Sequence, residues 1–341
     1  MEKTLENMFK NKKILVTGGT GFIGGEIVRN LLEYKPAVVR IFSNDEHNIF
    51  QLMQELDVKN NVRFLIGDIR DKERLKLAMK GIDIVYHAAA LKHVPLCEYN
   101  PFEAIKTNVI GTQNVIEAAL ANSVEKVIAI STDKAVNPVN TMGATKLLGE
   151  KLIVSANYYK GLSKTIFCCV RFGNVIFSRG SIVPIFEEQI KQKKMITITD
   201  ETMTRFMMSI QNTVDLVFKA TLLSKGGEIF ILKMPVVRLE DLADVAIEQY
   251  VKKYGYRKEE IQKKTIGLRP GEKMFEELMT EIEAKKAFET ETMLIIPPPV
   301  GFTDKITSPS DYPNARLSTL SRYNSKDITP FSKEEIRRWF I

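Results

Sequence analysis

Residues 131–146, STDKAVNPVNTMGATK, hold the densest chemistry in the chain. Thr132, Asp133 and Lys134 set a hydroxyl, a carboxylate and an amine side by side, directly after the apolar run KVIAI. A carboxylate and an amine in one site can act as acid and base in proton transfer. Met142 and Lys146 follow at M-x-x-x-K spacing. The Met142 thioether has no exchangeable proton and accepts hydrogen bonds only weakly. Any proton chemistry here must run through its neighbours. Successive side chains of an extended strand point oppositely, so Asp133 and Lys134 reach one substrate only if the chain turns there. The turn-prone NPVN follows at 137–140. The plainer alternatives are a surface ion pair beside a turn and a methionine that packs a helix.

These residues need a scaffold, and the flanking pattern supplies one. KKILVT, AVVRIFSND, NVRFLIGD, IDIVYHAAA, KVIAIST and TIFCCVRFGNVI read as six short strands, apolar on both faces. Helical stretches separate them, including the long NPFEAIKTNVIGTQNVIEAALANS and residues 141–157. That alternation predicts an α/β, Rossmann-type doubly wound parallel sheet. The expected division is a dinucleotide-binding domain over 11–175 and a smaller C-terminal substrate-binding lobe over 176–341, with chain exchange between them. In the second part, 183–193, 211–224, 238–253 and 273–280 read as helices. MITITD and EIFIL read as strands, and IIPPPVGF and ITSPSDYPN as irregular.

TGGTGFIG places Gly18, Gly21 and Gly24 between the first strand and a helix. The first glycine allows the tight turn, the second lets backbone amides approach a pyrophosphate, and the third lets helix and strand pack closely. In that context the turn predicts dinucleotide binding, with Thr20, Phe22 and Ile23 beside the cofactor. After the second strand comes Ser43-Asn44-Asp45-Glu46. Ser43 suits a 2′-phosphate, and Asp45 could reach a ribose, so the cofactor is NADP or NAD. Asp68 either caps the adenine amino group or caps a helix. Ile69, Ala88, Ala89, Asn108 and Lys92 complete the expected cofactor set.

The bulk numbers narrow the class. At 341 residues the chain has room for one large α/β domain and a lobe. The net charge of +7 is scattered rather than blocked, which favours an anionic small substrate or a solvated surface over nucleic acid. Cys97, Cys168 and Cys169 have no metal or redox spacing and read as buried thiols, consistent with a reduced, cytoplasmic setting. The three histidines show no metal spacing, so no metal is expected. Residues 1–12 lack an apolar h-region, and no run approaches a membrane span of about 18 residues.

Taken together, TGGTGFIG, HAAALKHVPLCEYNPFEAIKTNVIGTQNV, STDKAVNPVNTMGATK, RFGNVIFSRGSIVPIF, TDETMTRFMM and GLRPGEKMFEELM occur in order along the chain. They resemble the extended short-chain dehydrogenase/reductases, and more narrowly the UDP-N-acetylglucosamine 4,6-dehydratases of the polysaccharide-biosynthesis type. In that superfamily Met142 stands where an acid/base tyrosine is usual. Dehydratases with Tyr there are typically small and invert C5. Those with Met resemble a configuration-retaining branch, often fused to membrane segments.

The resemblance implies oxidation at C4, loss of water across C5 and C6, and return of the hydride to C6, with the cofactor tightly bound and recycled. Asp133 would protonate the 6-hydroxyl and take or relay the 4-OH proton. Thr132 would bond the 4-OH, and Lys134 would abstract the C5 proton as a neutral amine. Lys146 would hold the nicotinamide ribose and help lower the pKa of Lys134. Met142 would shape the sugar pocket. Lys92, Asn174, Arg179, Arg205, Arg269 and Glu272 are the expected substrate contacts, arginine forks suiting a diphosphate. The helix from Asn100 is a candidate contact of a homo-oligomer, dimer or hexamer, as in the superfamily. A nucleotide-sugar 4-epimerase or reductase of the same fold, or a non-catalytic dinucleotide sensor or scaffold, are the alternatives.

Overall fold

A computed structural model describes residues 2–56, 61–178, 180–299 and 308–340. The six expected strands form as β1 (Lys13–Thr17), β2 (Val38–Ser43), β3 (Val62–Ile66), β4 (Ile84–His87), β5 (Lys126–Ile130) and β6 (Ile166–Arg171). Most of their Val, Ile and Phe side chains are buried, as a parallel sheet covered by helices requires, while the edge strand β3 leaves Ile66 exposed. Beyond them come β7 (Asn174–Val175), β8 (Met195–Ile198), β9 (Thr204–Met208), β10 (Ile229–Leu232), β11 (Val236–Arg238) and β12 (Gln262–Thr265). The last are β13 (Glu277–Met279), β14 (Phe288–Glu289), β15 (Met293–Ile296), β16 (Arg316–Leu317) and β17 (Tyr323–Asn324).

The main sheet has the order β16-β14-β15-β10-β6-β5-β4-β1-β2-β3. From β3 to β10 every neighbouring pair is parallel, and β15, β14 and β16 continue it antiparallel. The strand order reverses beside β1, so the carboxyl ends of β1, β2, β4 and β5 open a crevice. Strands from beyond residue 175 thus return to the first sheet. The remaining C-terminal segments gather around a second core that includes Phe186, Ile196, Leu242 and Ile247.

Helices α1 (Glu2–Phe9), α2 (Phe22–Glu33), α3 (Glu46–Glu55), α4 (Lys72–Ala78) and α5 (Val94–Tyr99) form on this scaffold. The long helix expected from Asn100 is present but widened. α6 (Pro101–Ile105) passes through a π-turn at Lys106–Ile110 into α7 (Gly111–Ala121). α8 (Thr141–Tyr159) starts at Asn140, whose side chain accepts from the Gly143 amide at 2.8 Å.

Two expectations fail here. Residues 273–280 do not form a helix. Glu277–Met279 is a strand paired antiparallel with β17, because Leu278 and Met279 gain burial by that pairing. Ile295 and Ile296, read as irregular, close β15 in the main sheet.

Candidate active site

A cavity of about 930 Å³ runs along the crevice, from the glycine turn to the start of β13. At its first end Gly18 takes φ +64°, and a Cβ there would meet the Ala89 backbone at 2.7 Å. A Cβ on Gly24 would overlap the Gly18 carbonyl, so both positions need glycine. Gly21 caps α2 without any side-chain hydrogen bond, leaving the first amides of the helix uncovered toward the cavity. This cradle fits a pyrophosphate. Thr20, Phe22, Ile23, Ile69, Ala88 and Ala89 line the same stretch.

At the end of β2, the Ser43 and Thr20 hydroxyls share a hydrogen bond of 2.8 Å. Asn44 Nδ2 donates to Asp68 Oδ2 at 3.2 Å. Asp68 does not cap α4, since Asp71 does so by accepting from the Arg74 amide. Asp68 lines the cavity. Burial would raise its pKa, but the Arg70 guanidinium at 2.7 Å holds it below the usual carboxylate value. Asp45, which could reach a ribose, lines the same cavity and also caps α3 by accepting from the Asn48 amide at 3.0 Å.

Asn108 does not line the cavity. Its amide donates to the Leu91 carbonyl and Thr145 Oγ1 at 3.0 Å, and its oxygen accepts from the Leu91 amide at 2.8 Å. The π-turn aims it inward to hold the loop that carries Lys92, which is itself exposed at the cavity rim.

The chemistry gathers where β5 ends. A single 3₁₀ turn, Asp133–Ala135, follows Thr132 and is the turn that the adjacent carboxylate and amine require. Thr132 Oγ1 donates to Asp133 Oδ1 at 2.7 Å, and Lys134 Nζ donates to the same oxygen at 3.1 Å. Lys134 Nζ also reaches Asn174 Oδ1 and Glu276 Oε1, both at 3.3 Å. Thr132, Lys134, Asn174 and Glu276 line the cavity. Asp133 is fully buried and does not, so it reaches the cavity through its two neighbours.

The charge state of Lys134 differs from the expectation. Burial would lower its pKa, but Asp133 and Glu276 outweigh burial and raise it, so the amine is an ammonium in this arrangement. The main causes of that shift do not include Lys146. Its own Nζ donates to the Ile130 carbonyl at 2.6 Å, and burial lowers its pKa.

Met142 meets both readings made of it. It lines the cavity, and it packs with Cys97 and Ala104 at 4% exposure. Arg205 on β9 lines the cavity, with Nε 3.8 Å from Glu276. Arg269 and Glu272 form a tight turn at the rim, closed by the Glu272 amide donating to the Arg269 carbonyl at 3.1 Å. Arg179 lies outside the described residues. Glu276 escaped the sequence reading, although the GLRPGEKMFEELM segment contains it. The helix assigned to 273–280 hid its position at the head of a strand.

The polysaccharide biosynthesis protein family matches residues 14–298, together with the strand order and glycine cradle above. The chain belongs to that family. It is an extended short-chain dehydrogenase/reductase of the polysaccharide-biosynthesis type. Three relatives are similar over most of their length. A protein of Methanocaldococcus jannaschii, described as an uncharacterized membrane protein, is 54% identical over 99% of this chain and 98% of its own. The UDP-N-acetylglucosamine 4,6-dehydratase (inverting) of Campylobacter jejuni is 45% identical over 87% of this chain and 86% of its own. A protein of Rickettsia felis named UDP-glucose 4-epimerase is 39% identical over 98% of this chain and 96% of its own. The crystal structure of Pen from Bacillus thuringiensis superposes with a TM-score of 0.91, at 50% identity over 97% of each chain. Among the described residues, no helix is long and apolar enough to cross a membrane, and no cluster suits a metal ion.

Proposed function

We propose that the protein dehydrates a nucleotide-activated N-acetylhexosamine, UDP-N-acetylglucosamine, to the 4-keto-6-deoxy sugar. The observation that carries this reading is the Thr132–Asp133–Lys134 turn. It holds a hydroxyl at 2.7 Å and an amine at 3.1 Å from one carboxylate oxygen, with the hydroxyl and the amine lining the same cavity as the glycine turn. The dehydratase named among the relatives supports it.

The glycine cradle and the uncapped N-terminus of α2 would hold the pyrophosphate of NADP or NAD, with Ser43, Asn44 and Asp68 at the adenosine end and Lys146 at the nicotinamide ribose. A nicotinamide dinucleotide bound there supplies acceptance of a hydride from C4 and its return to C6. The protein supplies the protons' routes. Thr132 Oγ1 accepts the 4-OH proton as its own passes to Asp133. Asp133 returns a proton by the same hydroxyl to the departing 6-OH, so that water leaves. Lys134, once neutral, takes the C5 proton and later gives it back. Atoms balance: the 4-OH proton and the 6-OH form the water, and C5 recovers its hydrogen. Arg205, Asn174, Arg269 and Glu272, with Arg179 and Lys92, are the substrate-side groups.

The reading extends to a division at residue 175 between cofactor and substrate parts, a homo-oligomer, and a cytoplasmic setting without stable membrane insertion. Incubation with UDP-N-acetylglucosamine tests the activity by mass. Loss of one water supports dehydration. Unchanged mass with inverted C4 would make the protein a 4-epimerase, as one relative is named, and net consumption of NAD(P)H would make it a reductase. Unaltered substrate would leave a dinucleotide-binding scaffold.

A further inference from the structure

The dehydratase reading needs a neutral Lys134, yet the structure places that amine between two carboxylates. Asp133 Oδ1 lies 3.1 Å from Nζ on one side and Glu276 Oε1 3.3 Å on the other. Each carboxylate has a second oxygen, Asp133 Oδ2 and Glu276 Oε2, that is buried without a partner. An ammonium so held is a poor base, because its proton must first go elsewhere.

Glu276 is built to receive it. The residue is 3% exposed and lines the cavity, whereas Asp133 does not. Its backbone is fixed by the residue just after β17: the Glu276 amide donates to Ser325 Oγ at 3.0 Å, and the Ser325 amide donates to the Glu276 carbonyl at 2.8 Å. Asp133 Oδ1 is already engaged by the Thr132 hydroxyl, the route assigned to the 4-OH proton. The charged groups facing Lys134 are Asp133 on its own turn, Glu276 ahead of β13, Arg205 on β9 and Lys273 on the rim loop. Arg205 and Lys273 both disfavour a charge on Lys134. Lys273 is anchored by donating to the Val136 carbonyl at 2.7 Å.

We propose that Glu276 is the positioning residue for Lys134, fixing Nζ at the cavity wall and taking its proton so that a neutral amine meets C5. This rests on the dehydratase reading. An N–H bond of Lys134 breaks as an O–H bond forms on Glu276. A positive and a negative charge vanish together, so no ion is exported from a buried site. The freed amine takes the C5 proton and returns it to C5 after the hydride reaches C6. Glu276 then gives its proton back to Nζ.

The test is the pH dependence of kcat and KM for the cofactor-loaded enzyme with UDP-N-acetylglucosamine, in wild type, Glu276→Gln and Glu276→Asp. The wild-type kcat should be flat through neutral pH, because the proton moves internally. Glu276→Gln should lose about 100-fold in kcat at neutral pH. It should then recover about tenfold per pH unit as Lys134 loses its proton to water instead, with KM little changed. Glu276→Asp should restore the flat profile at reduced rate. A Gln profile parallel to wild type, or a change confined to KM, would overturn the proposal. A wild-type kcat that itself climbs about tenfold per pH unit would do so even if the Gln variant did not fold. Failure of the wild type to release water would instead sink the dehydratase reading.

Discussion

The Lys134 ammonium donates to the Asp133 carboxylate at 3.1 Å, although the two residues are neighbours in sequence and follow directly from a strand. A continued strand would send them to opposite faces. The 3₁₀ turn folds them onto one side, and α8 fixes that turn from behind. A Cβ on Gly143 would overlap the Lys134 carbonyl, so only glycine lets the helix pack this closely. Asn140 joins the arrangement to the rim loop by donating to the Gly271 carbonyl at 2.8 Å.

Replacing Lys134 with Met keeps the length of the side chain and removes the base. Dehydration should fall by about 1,000-fold. The intrinsic fluorescence change on adding dinucleotide should be that of the wild type, since Lys134 is not among the groups proposed to hold the dinucleotide. Turnover above a tenth of wild type would show that Lys134 is not the base.

Met142→Leu should keep turnover within about tenfold of wild type, because a volume-conserving exchange costs less than about 1.5 kcal/mol and removes no proton donor. Steady-state rates check this. A loss matching that of Lys134→Met would give the thioether a chemical role that its lack of a proton argues against.

Arg171 is buried against Glu150 at 2.7 Å and Glu283 at 3.1 Å, and Glu150 also accepts from Ser131, just ahead of the Asp133–Ala135 turn. Arg171→Leu leaves buried carboxylates unpaired and should destabilise the protein by about 3–5 kcal/mol. Burial raises the Glu283 pKa, but Arg171 outweighs it and holds it below the ordinary value. That contribution is present above about pH 4.3 and is lost as pH falls through the lowered pKa. The stability deficit of Arg171→Leu, read from urea midpoints, should therefore shrink on acidification.

Much of this was legible in the chain. The six parallel strands and the glycine cradle follow from local apolar runs and turn chemistry, which need little tertiary help. Local pattern failed where the partner lay far away in sequence. Residues 277–279 carry a helical spacing, yet they pair with β17 some forty residues on, and Glu276 was lost with that misreading. The choice between the two readings of Asp68 also needed the fold. An aspartate suits a cap or a cleft, and only the fold shows that Asp71 caps α4 while Asp68 lines the cavity, and that Asp45 both caps α3 and lines it. Asn108 looked like a cleft residue, but the π-turn aims it at the Leu91 backbone. The charge of Lys134 was misjudged because Glu276 was missing from the site.

The most direct measurement follows a deuterium label placed at C4 of UDP-N-acetylglucosamine. An internal shuttle predicts a product that has lost one water and carries the deuterium at C6, with the added cofactor unchanged in amount. Deuterium lost to solvent or retained at C4, in a product of either mass, would contradict the dehydratase account.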